Sequence, residues 1–343
     1  MKTHDNTLYV TTQKAYLARK GTNIDVRVEG QSRLQLPVHT VGSIVCFGNV
    51  LCSPFLLGLC AQHRVAVTFL TENGRFMGRV EGPQSGNVLL RRAQHRCTSD
   101  PQTAAVVAAC FISAKIANCR TVLLRAIRDH PDRPENAGIS AVLRRMDGLL
   151  DELQQPLPLD RVRGIEGEGA AAYFSVFDHL ILAQKDTFFF RDRSRRPPRD
   201  NMNAMLSFLY AILTNDLVSA CQAVGLDPQM GFLHADRPGR ASLGLDLVEE
   251  FRPVIADRLA LSLVNRQQVT AAGFKQTESG AVQMNDDTRK TVLVAYQKRK
   301  GEELVHPFLN ERMTVGLLFL VQARLLARWL RGELDAYPPF FWR

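Results

Sequence analysis

Residues 231–253, "GFLHADRPGRASLGLDLVEEFRP", combine a glycine-broken turn with an apolar helix. Pro238 and Gly239 mark the turn, and Ser242 is predicted to cap a helix that begins at Leu243. Apolar side chains surround most of this helix: Leu243, Leu245, Leu247, Val248 and Phe251. A helix that is apolar on nearly all sides is typical of a buried position. The stretch therefore predicts a helix inside the core of a largely helical structure.

Three carboxylates, Asp246, Glu249 and Glu250, share one stripe of this helix. At 100° per residue, Glu249 lies about 60° from Asp246 on one side, and Glu250 lies about 40° away on the other. Buried carboxylates are unfavourable unless they are paired or bind a metal. The stripe is therefore either a solvated face that pairs with arginines such as Arg240 and Arg252, or the wall of an internal cleft.

His234 precedes the acidic stripe, and the Pro–Gly turn between them can fold the histidine back over the helix. Imidazole and carboxylates together suit Mg²⁺ or Mn²⁺, and no thiolate is offered that would favour Zn²⁺. The pattern therefore indicates a metal site between His234 and the acidic stripe, without selecting one of its carboxylates. The alternative is an ordinary core histidine that is satisfied by a hydrogen bond.

A second acidic element lies in "RVRGIEGEGAAAYFSVFDHLIL", residues 161–182. Glu166 is predicted to open a helix over 166–186, and the residues that follow it are unusually small: Gly167, Gly169, Ala170, Ala171 and Ala172. Glycines weaken a helix by about 1 kcal/mol each relative to alanine, so a close approach should justify them. Either two helices pack tightly here, or Glu166 is a metal ligand beside room for a phosphate.

A basic loop follows in "FFFRDRSRRPPRDNMNAMLSFLY", residues 188–210. Guanidinium groups match phosphate oxygens bidentately, and the prolines stiffen the segment. The arginines that we predict to contact DNA lie in this loop and in the turn before the acidic helix: Arg191, Arg193, Arg195, Arg196, Arg237 and Arg240. A solvated charged face is the alternative.

The chain has 343 residues, a net charge of +9 and 45% apolar residues, so it can bury a core and should bind an anionic partner. Nucleic acid is the first candidate, and a membrane surface is the second. The longest nearly apolar stretch, residues 104–117, contains a lysine and is shorter than the ~20 residues of a membrane span. Seven irregularly spaced cysteines favour reduced thiols in a cytoplasmic protein without membrane association.

The organisation of the chain predicts an α+β protein, with a small N-terminal β domain and a larger all-α domain. Residues 1–86 contain short, partly alternating runs separated by turns, and residues 87–343 are predominantly helical in pattern. Helices are predicted over these ranges: 53–63, 101–129, 139–155, 166–186, 201–224, 241–263, 287–300 and 308–334.

The chain resembles the CRISPR-associated spacer-acquisition integrases, the "Cas-one" family, and most of all the version from subtype I-C systems. The resemblance covers almost the whole chain. Its most specific segments are "GIEGEGAAAYF", "RRPPRDNMNAMLSFLY", "GFLHADRPGRASLGLDLVEEFRP" and the ending "YPPFFWR". Further matches are "GNVLCSPFLLGLCAQHRVAVTFL" and "GNVLLRRAQHR".

The resemblance implies a metal-dependent DNA endonuclease and integrase that inserts short foreign DNA fragments into a CRISPR array. By motif position, the ligands of Mg²⁺ or Mn²⁺ fall on Glu166, His234 and Glu249, with Asp246 at a second acidic position, and Glu250 matches no ligand. The implied partners are double-stranded DNA, a second copy of the chain and a small ferredoxin-like "Cas-two" protein. The N-terminal domain would make the dimer and partner contacts.

Two other functions are compatible with the same residues. A plain metal-dependent nuclease, which hydrolyses DNA or RNA, would use the same site with water as the nucleophile. A non-enzymatic DNA-binding scaffold would use the arginines for phosphate contacts, and its acidic helix would simply pair with basic side chains. The sequence alone does not separate these functions from the integrase.

Overall fold

The computed structural model describes residues 6–83 and 88–342. Within residues 6–83 it contains eight strands and one helix: β1 (Thr7–Val10), β2 (Tyr16–Lys20), β3 (Asn23–Val28), β4 (Gln31–Pro37), β5 (Ser43–Phe47), β6 (Leu51–Cys52), α1 (Pro54–Gln62), β7 (Ala66–Leu70) and β8 (Phe76–Val80). The predicted boundary at residue 86 lies outside the described residues.

The strands form two four-stranded sheets, in the orders β1-β5-β7-β8 and β4-β3-β2-β6. Strands β1, β5 and β7 are parallel, and β8 joins β7 in the antiparallel sense. The apolar faces of the sheets meet around Leu17, Ile24, Ile44 and Val67, which are all buried. Ser53 caps α1 by accepting a hydrogen bond from the Leu56 amide, as the sequence predicts.

Residues 88–342 are mostly helical and carry two short hairpins. The elements are α2 (Val88–Ser99), α3 (Pro101–Asp129), α4 (Asn136–Glu152), α5 (Leu159–Ser175), α6 (Asn201–Val224), α7 (Ser242–Phe251), α8 (Arg258–Asn265), β9 (Phe274–Gln276), β10 (Val282–Met284), α9 (Asp286–Lys300), β11 (Glu303–Val305), β12 (Arg312–Thr314) and α10 (Val315–Leu330). The predicted fold class, a β region followed by a larger helical one, is confirmed.

The long helices α3 and α6 form the centre of this helical part. α3 packs against α4, α5 and α7, and α6 packs against α7 and α10. Both helices are long and apolar enough to span a membrane, but 61% of the apolar window of α3 and 67% of that of α6 are buried inside the protein. Asp100 caps α3 and Asp200 caps α6, each by accepting a backbone N–H three residues later. These two helices are therefore core elements of a folded domain.

Two helix boundaries near the predicted site were wrong. α5 begins at Leu159, directly after Pro158, so Glu166 lies inside the helix and does not open it. Ala241 is the N-cap of α7, and the Ser242 hydroxyl donates to the carbonyl of Ala235. Ser242 is therefore used to hold the preceding turn.

Two predicted helices are interrupted. The predicted helix over 241–263 contains a π-helix, Arg252–Asp257, between α7 and α8. Pro253 lies at its start and lacks the N–H that an α-helix would use, which is one reason for the wider turn. The predicted helix over 308–334 is shorter, because β12 precedes it and Thr314 caps α10 at Val315.

Residues 337–342, which we call the C-terminal strap, pack against α3 and α7 and form hydrogen bonds with Asn118 and Glu250. The Asn118 side-chain amide donates to the carbonyls of Glu250, at 2.7 Å, and Phe340, at 2.9 Å, and its oxygen accepts from the Trp342 amide at 2.7 Å. Glu250 accepts from the Tyr337 hydroxyl at 2.6 Å and from the Phe340 amide at 2.8 Å. Glu250 is thus a structural anchor.

We predict that Asn118→Ala lowers the free energy of unfolding by about 1–3 kcal/mol, because it leaves buried backbone groups without partners. Urea unfolding followed by circular dichroism measures this change. Gln154→Ala, on an exposed surface, is the matched control and should change stability by less than about 0.5 kcal/mol. Equal stability of the two variants would show that the strap contributes nothing to the fold.

Candidate active site

The turn before α7 is organised around the buried carboxylate of Asp246. Oδ2 accepts the backbone amides of Phe232, at 2.6 Å, and Leu233, at 3.1 Å, and Oδ1 accepts that of His234 at 3.0 Å. A Cβ added at Gly231 would lie 2.8 Å from Oδ2 of Asp246, so glycine is required for this close approach. The turn and the helix are therefore locked together by one side chain.

Asp246 also orients the imidazole of His234. Its Oδ1 lies 2.7 Å from Nδ1 of His234, whose side chain is 21% exposed. A ring held by a carboxylate through Nδ1 presents Nε2 as its second functional atom. The four contacts occupy both oxygens of Asp246, so Asp246 supports the histidine and is poorly placed to be a metal ligand.

Glu166 of α5 and Glu249 of α7 share one cation, the ammonium group of Lys115 on α3. Nζ of Lys115 contacts Oε1 of Glu166 and lies 2.8 Å from Oε2 of Glu249. The Lys115 and Glu249 side chains are only 9% and 2% exposed, whereas that of Glu166 is 32% exposed. The two predicted ligands thus come together from different helices, with a cation between them.

Glu249 has a second cationic partner in Arg252, which begins the π-helix. Nη1 of Arg252 lies 2.9 Å from Oε1 of Glu249, and the guanidinium carbon of Arg252 lies 4.9 Å from the ring centroid of Tyr210. Burial alone would raise the pKa of Glu249, but Arg252, Lys115 and, more weakly, His234 outweigh it and hold that pKa at about 2. Glu249 is therefore an anion at neutral pH.

The small residues around Glu166 serve two purposes. A Cβ at Gly169 would lie 3.1 Å from the Ile116 side chain, so this glycine allows α5 to pack closely on α3. Gly167 has no neighbouring heavy atom within 4 Å of the same position, so it borders open space. Tight helix packing and room beside Glu166 are both present.

The six predicted DNA-contact arginines have three different environments. Arg193 points inward: it donates to Asn203 at 2.6 Å and Ser207 at 3.1 Å and packs on Tyr210. Its guanidinium is engaged by the protein, so it is poorly placed for a phosphate. The exposed members of the set are Arg191, Arg195, Arg196 and Arg237.

Arg240, the sixth arginine, belongs to a local cationic surface. Burial, followed by repulsion from Arg237 and Arg196, lowers the pKa of Arg240. The basic loop and the turn before α7 therefore lie close enough for their charges to interact. This surface borders the His234–Asp246 pair, because Arg240 is in the same turn.

The model of one family, "CRISPR associated protein Cas1", matches residues 8–298 of the chain. The chain belongs to the Cas1 family. Similar proteins include the "CRISPR-associated endonuclease Cas1 1" of Chlorobaculum tepidum, 52% identical over 343 residues and covering all of both chains. A Cas1 of Rhodospirillum rubrum, "CRISPR-associated endonuclease Cas1 2", is 50% identical over 347 residues, again covering all of both chains.

Solved structures share the fold. A Cas1 protein from Thermotoga maritima superposes with a TM-score of 0.81 at 23% identity, covering 97% of this chain and 99% of its own. A "Casposase bound to integration product" superposes with a TM-score of 0.83 at 21% identity, covering 97% and 93%. The resemblance to this family is thus confirmed, and the assignment to subtype I-C stays a prediction.

The predicted metal ligands Glu166, His234 and Glu249 stay a prediction, and the structure brings Glu166 and Glu249 together around Lys115. Within residues 6–83 and 88–342, no three His, Cys, Asp or Glu side chains form a metal cluster. The ammonium group of Lys115 lies between Glu166 and Glu249 and pairs with both, and Arg252 supplies the second positive charge beside Glu249. Oε2 of Glu249 is buried and has no hydrogen bond, although it makes the ion pair with Lys115. The carboxylate oxygens of Glu166 and Glu249 are ligands that suit a hard divalent cation.

Sequence reasoning missed Lys115, whereas it named Arg252 as a possible partner of the acidic stripe. Lys115 is the only charged residue in the apolar stretch 104–117, and that isolation was a usable signal. A lysine buried in a core helix needs a buried carboxylate, so it indicates an acidic partner elsewhere in the chain. Arg252 follows Glu249 by three residues, a spacing at which helical side chains can pair.

We predict that Asp246→Asn loosens the turn, because a carboxamide cannot accept all four hydrogen bonds that the carboxylate accepts. Hydrogen exchange of the amides at 232–234 should become faster, and the unfolding free energy should fall by about 1–3 kcal/mol. Asp236→Asn, an exposed carboxylate in the same turn, makes the same chemical change and should leave both measurements as they are. Unchanged exchange in Asp246→Asn would contradict the assigned role.

Proposed function

We propose that this protein is a metal-dependent DNA endonuclease and integrase that inserts short DNA fragments into a CRISPR array by attack of a 3′-hydroxyl on a phosphodiester. The observation that carries the proposal is the meeting of Glu166 and Glu249 at one cation position, with Asp246, on the same helix as Glu249, holding the ring of His234. Relatives with half or more of their residues identical are named CRISPR-associated endonucleases, which supports the same activity for this chain.

Mg²⁺ or Mn²⁺ is the cofactor that these residues fit. Glu166, Glu249 and Nε2 of His234 would hold it, and it would supply polarisation of a phosphoryl oxygen and activation of a hydroxyl group. Asp246 keeps the His234 ring in the orientation that presents Nε2. Arg252 stays beside Glu249 and fixes its carboxylate.

Lys115 has a distinct part in the proposed reaction. It neutralises Glu166 and Glu249 before the cofactor binds, and it has to release at least one of them afterwards. A released ammonium group remains at the edge of the site, where it can donate to a non-bridging oxygen of the reacting phosphate. Such donors stabilise the charge that develops in phosphoryl transfer.

DNA binding is proposed for the exposed arginines of the basic loop and, in the turn before α7, for the exposed Arg237 and the half-buried Arg240. Arg195, Arg196, Arg237 and Arg240 present cations beside the site, and Arg191 extends the row from its packing position on Phe189. Arg193 is left out of this set because its guanidinium is held by Asn203 and Ser207. Phosphate contacts of this type position a duplex without reading its sequence.

The proposed partners are a second copy of the chain and a Cas2 protein. A solved "Cas6-RT-Cas1--Cas2 complex" contains a chain of this fold, with a TM-score of 0.84 at 18% identity over 99% of this chain and 36% of that one. The N-terminal part exposes large apolar side chains, among them Phe55, Phe76 and Met77. Exposed apolar surface of this kind suits a protein contact.

The scaffold alternative has one observation in its favour: Lys115 and Arg252 already satisfy the acidic helix without a metal. A stability experiment separates the two functions. Lys115→Met should lower the unfolding free energy by about 3–5 kcal/mol in EDTA, because two carboxylates lose their shared cation. Adding Mn²⁺ should restore much of that loss, since the metal replaces the missing charge.

The matched control is Lys300→Met. Lys300 is buried and pairs with Asp216 at 2.9 Å, away from the candidate site. The Lys300→Met variant should also have a lower unfolding free energy in EDTA, but Mn²⁺ should not restore that loss. If Mn²⁺ stabilises neither variant in thermal unfolding, the scaffold function replaces the enzyme.

The reaction itself is tested by strand transfer. The protein with its Cas2 partner, Mg²⁺ or Mn²⁺ and no ATP should join a duplex with free 3′-hydroxyls to repeat-containing DNA, because one phosphodiester replaces another. Glu166→Gln should reduce joining by at least ~100-fold through the loss of a charged ligand. Glu168→Gln is the control, since Glu168 lies on the same helix but pairs with Arg161.

Duplexes with blocked 3′ ends decide between the integrase and the plain nuclease. Blocked ends should not be joined if the 3′-hydroxyl is the nucleophile. Shortened fragments as the sole products, with or without the block, would mean that water is the nucleophile and that the protein is a hydrolytic nuclease.

A further inference from the structure

A basic cavity of about 550 Å³ lies between α3, α8 and α9. We call it the rear cavity. Six cationic side chains line it: Arg125, Arg133, Arg258, Arg266, Lys298 and Arg299. Two carboxylates, Asp129 and Glu302, and the imidazole of His130 are the other titratable groups that face it. The formal charge of the lining is therefore strongly positive.

The two carboxylates of the rear cavity are already paired. Asp129 accepts from Arg125 at 3.1 Å, and Glu302 pairs with Arg299. Arg133 is held by the carbonyl of His179 at 2.7 Å and by Glu135 at 3.2 Å. The positive charge that remains comes from side chains without an ion pair to any residue that the structure describes: Arg258, Arg266 and Lys298.

Arg258 differs from the other two cations because it is half-buried, whereas Arg266 and Lys298 are exposed. Its guanidinium carbon lies 5.4 Å from the ring centroid of Trp342, and that of Arg299 lies 5.0 Å from the same ring. One indole therefore holds two like charges close together. Burial, followed by repulsion from Arg299 and Arg125, lowers the pKa of Arg258 to about 10. An anion in the cavity would relieve this repulsion.

The rear cavity is separate from the site built on Lys115. Arg125 follows Lys115 by ten residues on α3, which corresponds to about 15 Å along the helix axis and to a rotation of about 80°. None of the candidate catalytic side chains lines the cavity. One DNA strand carries a phosphate every ~3.4 Å of duplex axis, so a strand that passes the active site could place a phosphate there a few nucleotides away.

We propose that the rear cavity is a second anion site that binds the phosphate of a nucleotide. Guanidinium groups make forked hydrogen bonds to phosphate oxygens, and three cations here have no other counterion. A cavity of this volume is roughly 10 Å across, which is enough for a phosphate and its sugar. The phosphate belongs either to a DNA strand or to a free mononucleotide.

The test measures binding by the full-length protein and needs no catalysis. Isothermal titration calorimetry with AMP reports the mononucleotide source, and the salt dependence of binding a short fluorescein-labelled duplex reports the DNA source. Arg258→Gln is the first variant. Arg266→Gln/Lys298→Gln, two exposed positions, is the second and keeps the experiment informative if Arg258→Gln does not fold. Arg144→Gln, on the exposed face of α4, is the control for charge.

We expect AMP affinity to fall at least ~10-fold, or the slope of log K against log salt to shrink by about one for each phosphate-contacting cation removed. Loss of AMP binding with an unchanged slope identifies a mononucleotide site, and the reverse identifies a DNA strand. Unchanged AMP affinity and unchanged slope in the cavity variants would overturn the proposal, and so would a loss confined to binding of the Cas2 partner. Failure of strand transfer in Glu166→Gln bears on the proposed function and leaves this result untouched.

Discussion

The requirement that the buried carboxylate of Glu249 and the half-buried carboxylate of Glu166 share a cation organises the centre of this protein. Lys115 comes from α3, Glu166 from α5 and Glu249 from α7, so a single ammonium group ties three helices together. Each partner is strongly unfavourable in the core by itself, because a buried charge without a counterion loses its hydration. The packing of α3 against α5 and α7 is therefore coupled to the electrostatics of the candidate site. A substitution that changes the charge of Lys115, Glu166 or Glu249 therefore also changes how α3, α5 and α7 pack.

The three carboxylates of α7 have three different environments, although they share one stripe. Asp246 receives backbone amides and the His234 ring, Glu249 receives two cations, and Glu250 receives hydroxyl and amide donors from the C-terminal strap. The environments explain the opposite directions of two pKa values: cations hold that of Glu249 at about 2, whereas burial raises that of Glu250 to about 7. Neighbouring positions on one helix thus differ because each faces a different element.

The sequence was most informative where a local rule determines the structure. The apolar character of α7 and the turn before it predicted a buried helix with an acidic stripe, and the order of strands followed by helices predicted the fold class. The predicted helix boundaries were wrong in two kinds of place. Ser242 forms a hydrogen bond outside its own helix, and Pro253 changes the backbone geometry within the predicted helix. The motifs indicated Glu166 and Glu249 together, but the position of Lys115 between them depends on how α3 packs. Periodicity within a single segment contains no information about that packing.

The C-terminal strap has a consequence for the order in which the chain is made. The donors for the Glu250 carboxylate come from Gln322, Tyr337 and Phe340, which are 72, 87 and 90 residues later in the chain. A ribosome that adds about 5–20 residues per second needs roughly 5–20 s to reach them. During that interval this side of α7 has no protein donors for its carboxylate, so the nascent chain keeps it hydrated. Burial of this side of α7 is therefore a late event in biosynthesis, and a chain released early would carry α5 and α7 without the support of the C-terminal strap.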